Sequence, residues 1–390
     1  MSVLILGWEY PPFNSGGLGV ATFYLALFLK KYLPELTIAL PYKLPITNSP
    51  FKIIFAEEIA STNKNLIPGY IKLEEGKIPL KILSDMLAYG YRIYHQIKAK
   101  PPKLIHAHDW FTAPAGVYLK NKLKIPNVVH VHSTEIERTG GNPNDFIWKI
   151  EKDYFSQYDK IIPVSDLTKD ILIKEYKIPE SKIKVVTNGM LWEEFEGHHL
   201  PKYFEYLKYK GERIILFVGR LVLQKGPDFL LRSAPLVINK EPKTTFCFVG
   251  SGDMMPYLIS LAASFNLSQK IHFTGFLRDK DLYGIYHAGD VLVVPSVFDP
   301  FGLVPLEGML HGVPVICSKT TGVAYYLENI MKFDFWDINE IAHKILALLR
   351  YPTLKFEYYQ NQIAEAKRKF SWEKSAAEIY KIYKELCPQL

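Results

Sequence analysis

Short apolar runs alternate with helical patterns along almost the whole chain, and this alternation constrains the fold more than any other feature. Regular alternation of strand and helix favours parallel sheets joined by right-handed crossovers. We therefore predict an α/β chain with two series of strands, at residues 3–6, 36–40, 103–106, 127–132, 160–164 and 182–187, and then at 213–218, 244–249, 270–274, 291–294 and 313–317.

The length of the chain predicts more than one domain. A chain of 390 residues is too long for a single core of ordinary size, so two domains are expected. Residues 189–212 are polar and aromatic, contain no clear element and form the predicted linker. We predict two Rossmann-like, doubly wound domains that face each other across a cleft, at 1–195 and 196–370, followed by an amphipathic helix near the carboxyl terminus.

Composition excludes several classes of protein. With 48% apolar and 22% charged residues, the chain is predicted to be soluble and globular. It has no apolar run of transmembrane length, and its first residues predict a strand and not a signal peptide. Cys247, Cys317 and Cys387 are widely spaced, which favours a reducing cytoplasm. The net charge of +7 modestly favours anionic ligands such as nucleotides, although a solvated basic surface explains it equally well.

The segment from Asp299 to Glu307 contains the most informative chemistry. Asp299 follows the predicted strand 291–294, and Glu307 lies inside the helix predicted to begin near Leu303. Ligands of open α/β sheets bind at the carboxyl ends of the strands. Amide groups near Gly302 would face the same edge, where a helix amino terminus attracts anions and hydroxyl groups. One carboxylate can therefore reach the reacting end of a ligand while the other holds its far end.

Two further motifs predict phosphate contacts. Gly16, Gly17 and Gly19 lie where the first helix begins, which lets the backbone approach a phosphate or a sugar; the alternative is a simple tight turn. Their spacing does not match the dinucleotide-binding fingerprint. Arg220 ends a strand and Lys225 precedes a helix, an arrangement that suits a diphosphate. The alternative is a pair of ordinary surface cations.

Histidine and acid follow two neighbouring strands. One strand leads into His106-Ala107-His108-Asp109-Trp110, and the next leads into His132. Asp109 is interpreted either as a ligand contact or as the cap of the following helix, and His106 as a core residue. No pair of histidines lies at i and i+4 on a helix, and no cysteine takes part, so we predict no metal site.

Together these motifs resemble the retaining glycosyltransferases of the GT-B fold (group 1), on the branch that holds glycogen and starch synthases. The resemblance spans nearly the whole chain and implies two Rossmann-like domains. The segment that starts Phe370-Ser371-Trp372 resembles the last helix of the family, which implies that residues 371–390 cross back to the first domain. The matching pieces are Gly16 to Gly19, His106 to Trp110, His132, Asn188-Gly189, Arg220 with Lys225, Gly275-Phe276 and Asp299 to Glu307.

The resemblance also implies roles for individual residues. Arg220 and Lys225 would hold the diphosphate of a nucleotide-sugar donor, and Glu307 would bind the ribose. Asp299 would contact the transferred sugar, and His132 would face the sugar and the reaction centre. Further implied contacts are Asp109 on the acceptor side, Gly16 and Gly17 at the phosphate, Gly275, Phe276 and Leu277 at the nucleobase, and backbone amides of Phe301, Gly302, Leu303 and Val304 at the sugar.

Three features depart from the family pattern. Asp299 stands where the family has a glutamate, so its carboxylate is one methylene shorter. Asn14 stands where bacterial glycogen synthases have a lysine, which removes one cation from the donor site. The short stretch between the second strand and His106 leaves little room for acceptor-binding insertions, which favours a small acceptor.

We therefore predict a retaining, cytoplasmic hexosyltransferase that uses UDP- or ADP-glucose as donor and an α-glucan as acceptor. It needs no separate cofactor, and it binds no nucleic acid. The alternatives are a small sugar, polyol or lipid-linked acceptor, a sugar-nucleotide epimerase, and a non-catalytic binding protein. A lipid acceptor would suit the basic stretch 89–103, which a solvated helix face also explains. The nucleobase and the oligomeric state cannot be predicted from the sequence.

Overall fold

The chain forms two compact units that each contain one sheet. A computed structural model describes residues 2–14, 17–57, 80–193 and 200–390. The first unit comprises Met1–Gly189 and Phe370–Leu390, and the second comprises Met190–Lys369. The chain therefore passes between the units twice, after residue 189 and after residue 369. In the described part, no helix has the length and hydropathy needed to cross a membrane.

The first unit contains a six-stranded parallel sheet with the strand order β3-β2-β1-β4-β5-β6. Its central strands are buried throughout, as expected for a parallel sheet covered by helices on both faces. The strands are β1 Val3–Leu6, β2 Thr37–Tyr42, β3 Lys52–Glu57, β4 Leu104–His108, β5 Asn127–Val131 and β6 Lys160–Pro163. The helices are α1 Gly17–Leu29, α2 Leu80–Ile97, α3 Asp109–Leu123, α4 Glu135–Arg138, α5 Asp145–Phe155, α6 Asp166–Lys174 and, from the carboxyl terminus, α15 Trp372–Leu386.

The second unit repeats this topology with the order β12-β11-β10-β7-β8-β9, again with parallel pairing. In each sheet the order reverses beside the first strand, so both sheets are doubly wound, and the predicted fold class is confirmed. The strands are β7 Arg213–Val218, β8 Thr244–Val249, β9 Ile271–Gly275, β10 Val291–Val294, β11 Val315–Ser318 and β12 Met331–Phe333. The helices are α7 Lys202–Tyr209, α8 Pro227–Ile238, α9 Met255–Ser264, α10 Asp279–Ala288, α11 Leu303–Leu310, α12 Gly322–Tyr326, α13 Ile338–Arg350 and α14 Pro352–Lys369.

The last helix belongs to the first unit, as the family resemblance implied. Trp372 stacks on Tyr24 of α1, with ring centroids 6.1 Å apart, and the Ser375 hydroxyl donates to the Thr187 carbonyl at 2.7 Å. Gly189 lies so close that a Cβ atom there would be 2.2 Å from the Trp372 nitrogen. The residues at which the chain leaves and re-enters the first unit therefore pack directly against each other.

Two local predictions were wrong. Residues 182–187 run beside β6, and the amide of Lys184 donates to the Ile161 carbonyl at 3.0 Å, but they form no strand. Pro163 has no N–H to donate back, so the ladder is broken. The predicted linker contains helix α7, whose Phe204 and Leu207 are buried one turn apart; residues 194–199 of that linker lie outside the described part. Strand β3, of six residues, and strand β12, of three, were not predicted.

Asp290 is a buried acid of the second unit that pairs with three cations. Its side chain is 5% exposed and accepts from Lys208 at 2.8 Å, Lys355 at 2.9 Å and Arg213 at 3.3 Å, and from the Ile214 amide at 3.0 Å. Burial alone would raise the pKa of Asp290, but Lys355, Lys208 and the amide outweigh it and hold this pKa at about 2. The carboxylate therefore ties α7 and α14 to the amino-terminal end of β7.

We expect Asp290→Asn to lower the free energy of unfolding by about 2 kcal/mol at pH 7, because it removes the buried counter-charge of three partly exposed cations. A carboxyl whose pKa is lowered from 3.8 stabilises the fold above pH 4, and this contribution disappears as the pH falls towards 2. Urea unfolding at pH 7 and pH 3 should show the gap between native chain and variant closing at the lower pH. Asp334→Asn, which removes an exposed pair with Lys319, is the control and should change stability by less than about 1 kcal/mol. A gap that does not depend on pH would contradict this account.

Candidate active site

Three neighbouring strands of the second unit end in glycine. Gly219, Gly250 and Gly275 follow or end β7, β8 and β9, and the Gly250 amide donates to the Gly275 carbonyl at 2.8 Å. A Cβ atom on Gly250 would lie 1.9 Å from the Gly219 carbonyl oxygen, whereas one on Gly275 would meet nothing within 4 Å. The carboxyl ends of these three strands are therefore lined by main chain, which a ligand can approach closely.

An exposed aromatic side chain follows β9. Phe276 is 58% exposed, and the guanidinium of Arg278 lies over its ring at 4.9 Å. Leu277 between them is half-buried. Gly275, Phe276 and Leu277 thus lie together at the end of β9, and their contact with a nucleobase stays a prediction.

Lys225 and Asp299 meet at the same edge of the sheet. Their Nζ and Oδ2 atoms are 2.6 Å apart, and their side chains are 22% and 10% exposed. The turn that carries Lys225 is held against the end of β10, because the Val297 amide donates to the Gln224 carbonyl at 2.9 Å. Arg220 donates to the Gln224 side chain at 3.1 Å and so lies on the same turn. The structure therefore gathers Arg220, Lys225 and Asp299 from two segments that are far apart in sequence.

The loop from Asp299 to Gly302 is fixed by main-chain hydrogen bonds. The Asp299 amide donates to Thr320 at 3.0 Å, and the Gly322 amide donates to the Asp299 carbonyl at 2.8 Å. Gly302 has φ +84°, a conformation that favours glycine, and a Cβ atom there would lie 2.9 Å from the Thr321 methyl group. Helix α11 begins at the next residue, so the amides of its first turn have no partner within the helix. This places the predicted sugar-binding amides of Phe301, Gly302, Leu303 and Val304 beside Asp299.

Glu307 lies one turn into α11 and is oriented by a tyrosine. The Tyr286 hydroxyl donates to Glu307 Oε2 at 3.0 Å. Burial raises the pKa of Glu307, and the Tyr286 hydrogen bond partly offsets that rise. One carboxylate oxygen is thus fixed by the protein, which leaves Oε1 for a ligand.

In the first unit, the loop before α1 is only partly described. Gly16 lies outside the described residues, and Gly17 is the exposed first residue of α1. Gly19 packs closely, since a Cβ atom on it would lie 2.7 Å from Cβ of Asn14. The predicted phosphate contacts of Gly16 and Gly17 stay predictions.

Asp109 joins the ends of two strands. It is the first residue of α3, lies 5% exposed and has φ +54°. Its Oδ1 accepts from the His132 amide at 2.6 Å and the Ser133 amide at 3.3 Å. Burial raises the pKa of Asp109 to about 7, although Arg138 and the two amides oppose the rise. Asp109 therefore fixes the main chain at His132, and the interpretation of Asp109 as a helix cap was wrong.

Four imidazoles stack on one face of this sheet. His106 and His108 alternate along β4, His130 and His132 alternate at the end of β5, and His108 pairs with His130 in register. Ring centroids are 4.4 Å apart for His106 and His108, 5.4 Å for His108 and His130, and 4.4 Å for His130 and His132. Sequence reasoning missed His130, although the two His-x-His motifs on paired strands were a usable signal.

One group in the described part brings three potential metal ligands together. Nitrogen atoms of His106, His108 and His130 lie within 4.8 Å of one another. A metal ion lies in the plane of each imidazole that binds it, about 2.0–2.1 Å from the nitrogen for zinc. These rings are nearly parallel, with interplanar angles of 9° to 28°, so they do not point towards a common ion. The prediction of no metal site is not tested by this geometry.

Family comparisons agree with this arrangement. Residues 202–369 match the family described as Glycosyl transferases group 1, and residues 67–190 match Glycosyltransferase Family 4. An uncharacterized glycosyltransferase of Methanocaldococcus jannaschii is 31% identical over 400 residues, covering 98% of each chain. The Mycobacterium tuberculosis glycogen synthase is 24% identical over 348 residues, covering 84% of this chain and 80% of that one. The Corynebacterium jeikeium D-inositol 3-phosphate glycosyltransferase is 27% identical over 308 residues, covering 73% of each.

Solved structures share the fold at low sequence identity. Sucrose-phosphate synthase from Thermosynechococcus elongatus superposes with a TM-score of 0.80 at 19% identity and covers 100% of both chains. HepE of Anabaena, solved in complex with UDP-glucose, superposes with a TM-score of 0.76 at 17% identity and covers 99% of this chain and 100% of that one. The chain therefore belongs to the group 1 glycosyltransferases and has the GT-B fold.

Proposed function

We propose that the chain is a retaining glucosyltransferase that moves glucose from UDP-glucose or ADP-glucose to an α-glucan. The observation that carries the proposal is the Lys225–Asp299 pair, with its 2.6 Å contact, at the carboxyl edge of the second sheet. Arg220 lies on the same turn as Lys225, and Glu307 begins the second turn of α11. Cations for a diphosphate, and carboxylates for a sugar and a ribose, are the groups that a nucleotide-sugar donor requires.

Each side chain of this edge has a separate task in donor binding. Arg220 offers a planar fork to the diphosphate, and Lys225 offers a compact charge that Asp299 keeps in place. Glu307 accepts hydrogen bonds from the ribose through Oε1, since Tyr286 already occupies Oε2. Phe276 offers an exposed ring for the nucleobase. HepE, solved with UDP-glucose on the same fold, supports a uridine donor.

The transfer needs charge stabilisation more than proton chemistry. When the bond between the glucose C1 and the diphosphate oxygen breaks, negative charge grows on the phosphate and positive charge grows on the ring. Lys225 and Arg220 stabilise the phosphate charge. The acceptor hydroxyl then bonds to C1 from the face that the diphosphate leaves, and its proton passes to the departing phosphate oxygen, so the α configuration is retained. This route needs no pair of catalytic carboxylates of the glycosidase type.

In the first unit, His132 is the residue to which the family resemblance assigns a contact with the sugar. Asp109 holds the His132 amide at 2.6 Å, so its contribution is to position this residue and to line the acceptor side. The low exposure of Asp109 favours the positioning role, because a side chain that is 5% exposed offers little surface to an acceptor.

The free Cys247, Cys317 and Cys387 fit a cytoplasmic setting.

Two acceptor classes have specific support. Similarity to the glycogen synthase of Mycobacterium tuberculosis supports an α-glucan. A phosphorylated polyol or sugar is the second candidate, supported by similarity to D-inositol 3-phosphate glycosyltransferases and by the sucrose-phosphate synthase fold match.

Nucleotide release from UDP-glucose and from ADP-glucose, each with maltoheptaose, inositol 3-phosphate, fructose 6-phosphate or no acceptor, tests the proposal. We expect release that depends on maltoheptaose, together with an oligosaccharide lengthened by an α-linked glucose. Release that depends on a phosphorylated acceptor instead would move the acceptor to the second class. No acceptor-dependent release with either donor would contradict glucose transfer itself.

Replacement of the central cation tests the mechanism. Lys225→Ala should lower kcat about 100-fold while the fold survives, because it removes a charge that stabilises the leaving diphosphate. Lys270→Ala is the matched control: this lysine also pairs with an acid of the second unit, Glu212, but it precedes β9 at the opposite, amino-terminal end of the sheet. Circular dichroism and steady-state kinetics check both variants. A folded Lys225→Ala enzyme with near-normal kcat would rule out the assigned role.

A further inference from the structure

His132 has a buried hydrogen-bonding partner, His108, that is not one of the residues proposed above to contact the donor or the acceptor. His108 Nδ1 lies 3.0 Å from His132 Nε2 and 3.2 Å from the Thr22 hydroxyl oxygen. His108 is 1% exposed, whereas His132 is half-buried. The pair thus consists of an enclosed imidazole that contacts the inner nitrogen of a more accessible one.

The surroundings of His108 decide where its proton lies. In the described part of the chain, its Nε2 is buried and has no hydrogen-bond partner. A proton on Nε2 would create an orphaned buried N–H group, and such groups are rarer in proteins than unpaired acceptors. The proton is therefore on Nδ1, which donates to His132 Nε2, with the Thr22 oxygen as a second acceptor.

This arrangement determines the state of His132. A nitrogen that accepts a hydrogen bond carries no proton, so the proton of neutral His132 is on Nδ1. We propose that His108 is a positioning residue that locks His132 in the neutral Nδ1–H tautomer, so that His132 meets the transferred sugar as a hydrogen-bond donor and not as a general base. Only the sugar contact rests on the proposed function; the tautomer does not.

The rest of the stack keeps His132 neutral. His106, His108 and His130 are at most 2% exposed, and neither nitrogen of His130 has a partner in the described part. Burial lowers the pKa of all four imidazoles, and neighbouring imidazoles lower those of His106, His108 and His130 further. An imidazolium at His106, His108 or His130 would be buried away from water. The Tyr383 hydroxyl lies 2.5 Å from His106 Nδ1, so the last helix fixes the far end of the stack.

Nitrogen NMR of the full chain labelled with ¹⁵N-histidine tests the tautomer directly. The resonances of His132 are identified by their loss in His132→Gln. We expect protonated Nδ1 and unprotonated Nε2 for His132, both in the free protein and with saturating UDP. A proton on Nε2, or rapid exchange between the tautomers, would overturn the proposal whatever the enzyme's activity.

Three variants separate the hydrogen bond from simple packing. His108→Asn keeps an amide N–H near the position of Nδ1, whereas His108→Leu removes the donor. His130→Leu is the matched control, since His130 is equally buried in the stack but makes no hydrogen bond to His132. We expect His108→Leu to abolish the single tautomer and to lower kcat about 10-fold to 100-fold, the loss seen when a metal-bound histidine loses the partner of its other ring nitrogen, with UDP affinity within about twofold.

His108→Asn should recover the Nδ1–H tautomer of His132 and part of the kcat. His130→Leu should keep the His132 tautomer and the kcat of the unmodified chain. A folded His108→Leu chain with His132 still in the Nδ1–H form would contradict the proposal. Because the NMR result on the unmodified chain needs no turnover, an inactive protein with the expected tautomer would reject glucose transfer and leave the role of His108 standing.

Discussion

Parallel pairing brings every strand of a sheet to end at the same edge, and both halves of the proposed chemistry depend on this constraint. Lys225 and Asp299 are separated by 74 positions, yet they meet because β7 and β10 are neighbours that run in the same direction. Asp109 and His132 meet for the same reason at the ends of β4 and β5. The topology thus gathers functional groups that local sequence keeps apart.

The carboxyl ends of the two sheets differ in the burial and the charge of their functional side chains. In the second unit, Lys225 and Arg220 are partly exposed, so water can solvate these side chains when no ligand is bound. In the first unit, His106, His108 and His130 are buried on paired strands beside the half-buried His132, and burial favours the neutral imidazole. A fixed cation suits a leaving group that gains negative charge, whereas a neutral donor suits a sugar hydroxyl. The difference in burial therefore matches the difference in proposed task.

The sequence predicted the parallel α/β architecture because buried central strands are continuous apolar runs, as in Val291–Val294. It missed β12, because a strand of three residues shows no periodicity. It assigned a strand at 182–187, because the apolar pattern does not reveal that Pro163 lacks the N–H needed for the ladder. Helix α7 was missed because its buried stripe contains only Phe204 and Leu207.

The strand ends that precede Asp109, His132, Arg220 and Asp299 were predicted, but the contacts of these residues were not. The Lys225–Asp299 contact, the capture of the His132 amide by Asp109 and the four-imidazole stack all depend on strand order and register, which a single sequence does not contain. His130 was missed for the same reason, since an alternating histidine gains meaning only when the neighbouring strand carries another at the paired position.

Calorimetric titration with UDP, without any acceptor, tests most directly whether the carboxyl edge of the second sheet holds a nucleoside diphosphate. We expect one saturable site whose affinity falls in Glu307→Ala, through the ribose, and in Arg220→Ala, through the diphosphate. Lys270→Ala, at the amino-terminal end of the sheet, should bind UDP as the unmodified chain does. Equal affinity in all these proteins, or binding of neither UDP nor ADP to the unmodified chain, would contradict the account.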